Sequence, residues 1–219
     1  MRWALLDRVP ADDVQRLLSI ARRRKFERGE VVFHEQDPAD TLHLIEKGRF
    51  AVRVSTPLGD RAILAVLGAG EMFGELALLG DEEDARRSAT VVALEPAVTH
   101  SVHRLDFDGL RTRHPDTREV LVVILAAQVR RLSRQLLEAL YVSADKRVVR
   151  RLVEAAEIYG DGEEAAVVPL TQEDLATLAG TSRATVNRVL RDQEARGFVK
   201  LGRGRTTVLD ADALTARGR

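Results

Sequence analysis

The chain has 219 residues, enough for two compact domains, and its 45% hydrophobic content is that of an ordinary globular protein. It contains no cysteine, which excludes disulfides, thiolate catalysis, cysteine-ligated zinc and iron–sulfur clusters. Its 34 basic residues balance 34 acidic ones, so net charge does not mark nucleic acid as a partner. No apolar run reaches the roughly 20 residues that span a bilayer and no signal peptide opens the chain, so the expected setting is the cytoplasm, with no membrane contact.

Pro10 and two acids near it predict a short helix over residues 10–21. From Phe26 to about His103 the pattern changes to short β-type runs, VVFHE (31–35), TLHLIEK (41–47), FAVRVS (50–55), RAILAVL (61–67), ATVVAL (89–94) and AVTHSV (97–102). Gly48 and the stretch Leu58-Gly59-Asp60 read as hairpin turns between them. Many short strands with turn punctuation predict a β-sandwich or barrel, and period alone does not separate a ligand-binding barrel from a plain one.

A long helix is predicted from Pro115, with Asp116 and Glu119 in its first turn, to about Tyr141. Val122, Leu125, Val129, Leu132, Leu136 and Ala139 recur at spacings of three and four, which predicts a coiled-coil seam and a homodimer. Leu121, Ile124 and Leu140 flank the seam and are assigned to packing within one chain. Ser143 offers a helix cap at an interdomain joint near 142–144, and a helix over 144–159 leads to the turn Gly160-Asp161-Gly162. The expected fold class is α+β, divided as a β-barrel domain over 1–114, a dimerisation helix over 115–142 and a C-terminal domain over 143–219.

Residues 170–199, LTQEDLATLAGTSRATVNRVLRDQEARGFV, carry the third pattern. Thr171 and Asp174 form a capping-box spacing at the start of one helix, Gly180 suits a tight left-handed turn, and Ser182 caps a second helix. Val186, Val189 and Leu190 turn inward, leaving Arg183, Ala184, Asn187, Arg188 and Arg191 outward, the pattern of a helix-turn-helix. From Thr181 to Arg205 seven basic residues face two acids, a local balance of +5. Arginine donates bidentately to guanine O6 and N7 and asparagine pairs with adenine, while Thr171 and Ser182 suit phosphate contacts. GFVKLGRGRTTVLD reads as a hairpin wing whose Arg203 and Arg205 would add backbone contacts, and a short helix follows from about Ala211. A helical hairpin with a solvated basic face is the plainer alternative.

One stretch, FGELALLGDEEDARRSATVV (73–92), places a glycine, a carboxylate and an arginine–serine pair close together. Gly74 permits close backbone approach, Arg87 would fork onto a phosphate, Ser88 adds a hydroxyl donor and Glu75 can accept from a ribose hydroxyl. The same residues equally describe a surface Glu75–Arg87 ion pair. In sequence, FGELALL…RRSATVVA resembles the phosphate-binding cassette of cyclic-nucleotide-binding domains. The order of barrel, long helix and helix-turn-helix resembles the CRP/FNR family of bacterial transcription regulators over roughly residues 5–210.

That resemblance implies a jelly-roll barrel and a winged helix-turn-helix, with Gly74, Glu75, Arg87 and Ser88, beside Leu76 and Ala89, at the cyclic phosphate and ribose of cyclic AMP. Val52, Leu64 and Leu67 match positions flanking the nucleotide. Relatives carry a Thr-Ser pair that reaches adenine, and Leu132-Ser133 stands there in this chain; Leu132 has no group to hydrogen-bond the base. Where cyclic-AMP-dependent relatives show Arg, Glu and Arg on the recognition helix, this chain has Arg183, Ala184 and Arg188. The family also implies a pseudo-palindromic double-stranded DNA operator, a hinge near 139–145 moved by ligand, and RNA polymerase as a further partner, contacted by the acidic turn at 160–164. The second reading is a constitutive DNA-binding regulator of the same fold with a vestigial or non-cyclic-nucleotide pocket.

No catalytic triad, spaced acid pair, P-loop or zinc signature is present, so an enzyme is not expected, nor is a covalent cofactor. His34, His43, His100, His103 and His114 match haem ligands by residue type alone, without metal-ligand spacing. The acids Asp81-Glu82-Glu83-Asp84 read as a solvated loop tip.

Overall fold

The computed structural model describes residues 2–56, 59, 61–79, 85–160 and 165–218, with the backbone alone at 77–78. The turn at Leu58-Gly59-Asp60, the acidic run 81–84 and the turn after Gly160 therefore fall wholly or partly outside the described residues. The chain forms two compact units, Met1–Val54 with Leu64–Arg131, and Ser55–Ile63 with Leu132–Arg219.

The first unit opens with a 3-10 turn, Ala4–Leu6, and helix α1, Ala11–Ile20, led by Pro10 with Asp12 and Asp13 in its first turn. Strands β1 (Arg22–Phe26), β2 (Val31–Phe33), β3 (Thr41–Lys47), β4 (Phe50–Ser55), β5 (Arg61–Leu67), β6 (Met72–Phe73), β7 (Thr90–Ala93) and β8 (Ala97–His103) follow. They form two four-stranded sheets, ordered β1-β8-β3-β6 and β2-β7-β4-β5. The strand pairings among the described residues are antiparallel, with Phe26 opposite Ala97, Leu44 opposite His100 and Phe50 opposite Ala93. β1 begins four residues before the predicted β region because its RRRKF sequence hides a strand under four basic residues, and of its five residues Phe26 alone is buried.

Strand β3 shows why the sheet has two apolar sides. Alternate residues of a strand point to opposite faces. Leu42 and Leu44 join Trp3, Leu6, Leu17, Val102, Phe107, Leu110 and Leu121 in one cluster, while Ile45 joins Phe26, Phe50, Leu67, Phe73, Val91 and Ala97 in the other. Fully burying a side chain such as Phe26 or Phe50 stabilises the fold by about 2–3 kcal/mol. The predicted turn at Gly48 is present with φ 82°, and a Cβ there would lie 2.6 Å from Ala97 Cβ. Only glycine fits that turn.

Helix α2 (Arg104–Arg113) was not expected from the sequence; it buries Phe107 and Leu110 one turn apart and is capped by His103, which accepts from the Leu105 N–H. Helix α3 runs Asp116–Tyr141. Leu121 is buried and Ile124 and Leu125 pack on the same cluster, so Leu125, assigned to the seam, also serves the core. Leu140 corrects its assignment in the opposite direction, since it is 64% exposed.

The second unit contains α4 (Ala144–Tyr159), β9 (Ala166–Val168), α5 (Gln172–Ala179), α6 (Arg183–Ala195), β10 (Val199–Gly202), β11 (Arg205–Val208) and α7 (Ala211–Gly218). β10, β11 and the unpredicted β9 make a small antiparallel sheet with the turn at Arg203-Gly204. Val148, Leu152, Leu175, Val186, Leu190 and Leu214 are buried, and they supply the apolar faces of α4, α5, α6 and α7. At the end of α3, buried Glu138 accepts from Arg150 at 2.8 Å and from buried Arg151, joining that turn to α4.

Candidate functional site

In the first unit, Gly74 adopts the left-handed region at φ 86° and starts a 3-10 turn, Glu75–Leu78. The returning leg 85–87 is laddered onto 36–39: Gln36 N–H donates to Arg87 O at 2.9 Å, Arg87 N–H to Asp37 O at 2.9 Å, and Ala39 N–H to Ala85 O at 3.0 Å. Those bonds bring Arg87 under Gly74, where Nη1 donates to Thr41 O at 2.6 Å and Nη2 to Thr41 Oγ1 at 2.8 Å. Its guanidinium carbon sits 4.1 Å from the centre of the Phe33 ring. A Cβ at position 74 would lie 2.6 Å from Arg87 Nη1 and 3.0 Å from Thr41 O, so glycine is a steric requirement of this corner.

Arg87 is 4% exposed and its Nε has no hydrogen-bond partner among the described residues. Among the described residues it makes no salt bridge, which sets aside the surface Glu75–Arg87 pair. Burial pushes the guanidinium below its ordinary pKa, against the opposing pull of Asp40, Asp37 and Glu75. Glu75 is buried and accepts from Gln128 Nε2 of α3 at 3.1 Å, a partner that the sequence reading missed. A buried cation with an unused donor beside a glycine corner fits an anion such as a phosphate.

The other expected ligand residues are dispersed in exposure. Ala89 and Leu67 are buried, Val52 and Leu64 half-buried, and Leu76 and Ser88 exposed. Leu132 and Ser133 lie exposed on α3, in the second compact unit. His43, behind the corner, is buried, stacked on Phe73 at 4.9 Å and paired with Thr99 Oγ1 at 3.1 Å. Its burial, reinforced by Arg87 and Arg24, pushes its pKa down to about 3, so the ring is neutral in the folded chain. Among the described residues no group of three His, Cys, Asp or Glu could hold a metal ion, and no helix is long and apolar enough to cross a membrane.

In the second unit the helix-turn-helix is built as its caps direct. Thr171 Oγ1 accepts from the Asp174 N–H at 3.1 Å, the Asp174 carboxylate accepts from the Thr171 N–H at 3.0 Å, and Gly180 closes α5 at φ 58°. Arg147 of α4 donates to Ala179 O and Gly180 O at that same turn, and to Val142 O. Ser182 caps α6 by accepting from the Thr185 N–H. Arg183, Ala184, Arg188 and Arg203 are exposed. Asn187 is less free than its outward assignment implied, because its Nδ2 donates to Gln172 Oε1 at 3.1 Å and its Oδ1 accepts from Arg191.

Comparison with known proteins fixes the family. The cyclic nucleotide-binding domain model matches residues 23–114, and the Crp-like helix-turn-helix domain model matches residues 146–217. A CRP-like cAMP-activated global transcriptional regulator of Mycobacterium tuberculosis is 33% identical over 200 residues, 89% of this chain and 87% of that protein. The chain belongs to the CRP/FNR family of transcription regulators. A cyclic AMP receptor protein of Thermus thermophilus is 33% identical over 93% of this chain and 91% of its own length. The crystal structure of the Thermus thermophilus catabolite activator protein covers 98% of both chains at 30% identity with a TM-score of 0.55. In CRP/FNR terms the first unit carries the cyclic-nucleotide-binding domain and the second the DNA-binding helix-turn-helix of a transcription regulator.

Proposed function

We propose that this CRP/FNR regulator is a homodimer whose DNA binding is controlled by cyclic AMP. The observation that carries the ligand reading is Arg87, a buried guanidinium beneath the left-handed Gly74 whose Nε has no partner among the described residues. There Gly74, Glu75, Leu76, Arg87, Ser88 and Ala89 surround the sugar-phosphate, and Val52, Leu64 and Leu67 flank the nucleotide. Leu132 and Ser133 stand at its base end by family pattern. Two relatives at 33% identity are named for cyclic AMP, which supports that choice of nucleotide.

Dimerisation through α3 is supported by the exposure of Val122, Val129, Leu132 and Leu136, apolar residues that water disfavours and a partner helix would cover. On this reading 1–114 senses ligand, 115–142 pairs the subunits and 143–219 binds an operator with two-fold symmetry, in the cytoplasm. Arg183 and Arg188 read base edges while Thr171, Ser182 and Arg203 face the backbone, and RNA polymerase is the further partner.

Calorimetric titration with cyclic AMP and cyclic GMP tests the ligand. Heat with cyclic AMP that disappears in Arg87→Leu is expected; absence of heat and of any melting shift at millimolar nucleotide would refute the cyclic-AMP reading. The apolar side chain of Leu132 favours the second reading, a constitutive regulator, which predicts DNA binding unchanged by either nucleotide.

A further inference from the structure

A guanidinium reads guanine through two parallel N–H donors, and a long flexible side chain must lose rotamer freedom to present them. Arg188 is already held. Its Nη1 donates to Asp145 Oδ2 at 2.9 Å and its Nη2 to Asp145 Oδ1 at 2.5 Å, a bidentate fork between the recognition helix and the first turn of α4. Acids are favoured in the first turn of a helix, so Asp145 has a reason to stay in place that is independent of its partner. The acid one turn along α6 from Arg188, Asp192, instead pairs with Arg196 at 3.1 Å and Arg217 at 3.6 Å.

The fork occupies only one edge of the guanidinium. Arginine has five N–H donors in a plane, and the end-on edge takes one hydrogen from each Nη. Nε–H and the second Nη2 hydrogen form another parallel pair along the side edge, and among the described residues it has no partner. Arg188 keeps 64% of its side chain exposed while paired, so the fork does not bury the reading group. Asp145 also offsets the charge of Arg188, which weakens sequence-independent attraction to phosphates.

We propose that Asp145 is a positioning residue for base recognition: it grips the end-on edge of Arg188 so that the side edge meets guanine O6 and N7 in a fixed orientation. This rests on the reading that Arg188 contacts base edges. Fixed orientation raises discrimination and charge offset lowers background binding, so both act to increase the ratio of specific to non-specific affinity.

The test selects DNA from a double-stranded pool randomised across two symmetric half-sites, with and without saturating cyclic AMP, using full-length wild type, Asp145→Ala, Asp145→Asn, Arg188→Ala and the Asp145→Ala/Arg188→Ala double variant. Wild type is expected to enrich guanine at one position per half-site, and Arg188→Ala to lose that preference. Both Asp145 variants should weaken it by roughly tenfold while binding unselected DNA more tightly, with melting temperature lowered by no more than a few degrees. In the Arg188→Ala background the Asp145 change should leave base preference as it is. Guanine preference that survives or sharpens in both Asp145 variants, while lost in Arg188→Ala, overturns the proposal alone. Preference undiminished in Arg188→Ala overturns the base-reading role and the proposal with it.

Discussion

Buried His43 makes the stability of the nucleotide-binding unit depend on pH in a calculable way. The ring is 1% exposed, its pKa is lowered from 6.5 to about 3, and burial is the main cause, followed by Arg87 and Arg24. An unfolded chain would protonate this imidazole near its ordinary value while the folded chain refuses the proton. Between those two values the unfolded state binds more protons, so stability rises with pH through the window and falls as acid is added. Above 6.5 both states are neutral and His43 contributes no slope. The gap between 6.5 and about 3, at about 1.4 kcal/mol per pH unit, gives a total of about 5 kcal/mol, of which about 2 kcal/mol is lost by pH 5.

His43→Phe keeps a ring to stack on Phe73 and removes the titration. It also leaves Thr99 without its partner, a cost of about 1 kcal/mol at every pH, so the comparison is between pH values rather than between proteins. Trp3, the single tryptophan, lies in the core of the same unit and reports its urea unfolding by fluorescence. Wild type is expected to lose about 2 kcal/mol more than the variant between pH 7.5 and pH 5. Equal losses in the two proteins would show that His43 is not held neutral by its surroundings and would refute the reasoning.

Three further outcomes follow from named contacts. Gly74→Ala forces a Cβ against Thr41 O and Arg87 Nη1 at a positive φ, so it should cost about 1–3 kcal/mol in thermal melting and abolish the calorimetric signal of cyclic AMP. Glu138→Gln removes one of the two carboxylates that pair with buried Arg151, leaving Glu154 on its Nη1, and should lower stability by about 1–3 kcal/mol, seen as faster amide exchange in α4. Leu136→Glu places a charge in the α3 seam, so sedimentation should shift from dimer to monomer mass and selected DNA should be bound less tightly.

What could be read in advance was whatever the chain writes locally. The helix-turn-helix depends on Thr171, Asp174, Gly180 and Ser182, whose caps close over three or four residues, and each stands where its spacing indicates. α3 was legible because its apolar period persists over many turns. α2 was not, since RLDFDGLRTR holds only Phe107 and Leu110 as buried apolar positions and carries a glycine between them, although Asp106 early and Arg111 and Arg113 late are helix-end signals. β1 and β9 failed differently: each is a strand by virtue of its neighbour's backbone, β8 and β11, and neither has an alternating pattern of its own.

The same division separates the residues that carry charge from the residues that aim it. Arg87 and Arg188 were visible by type, because a phosphate or a guanine calls for a guanidinium. Their holders were not visible, because Thr41 and Phe33 reach Arg87 from 46 and 54 positions upstream and Asp145 reaches Arg188 across 43. In both places a charged fork is restrained on one side by the fold, Arg87 by backbone carbonyls and a hydroxyl of the first unit and Arg188 by a carboxylate of α4. Replacing the arginine tests whether charge is needed, while replacing its holder tests whether direction is. Thr41→Val, which removes the acceptor of Arg87 Nη2 and keeps the strand, should therefore weaken cyclic-AMP binding less than Arg87→Leu does, by roughly tenfold rather than completely. Equal loss in the two variants would mean that the barrel arginine acts only in the orientation Thr41 gives it.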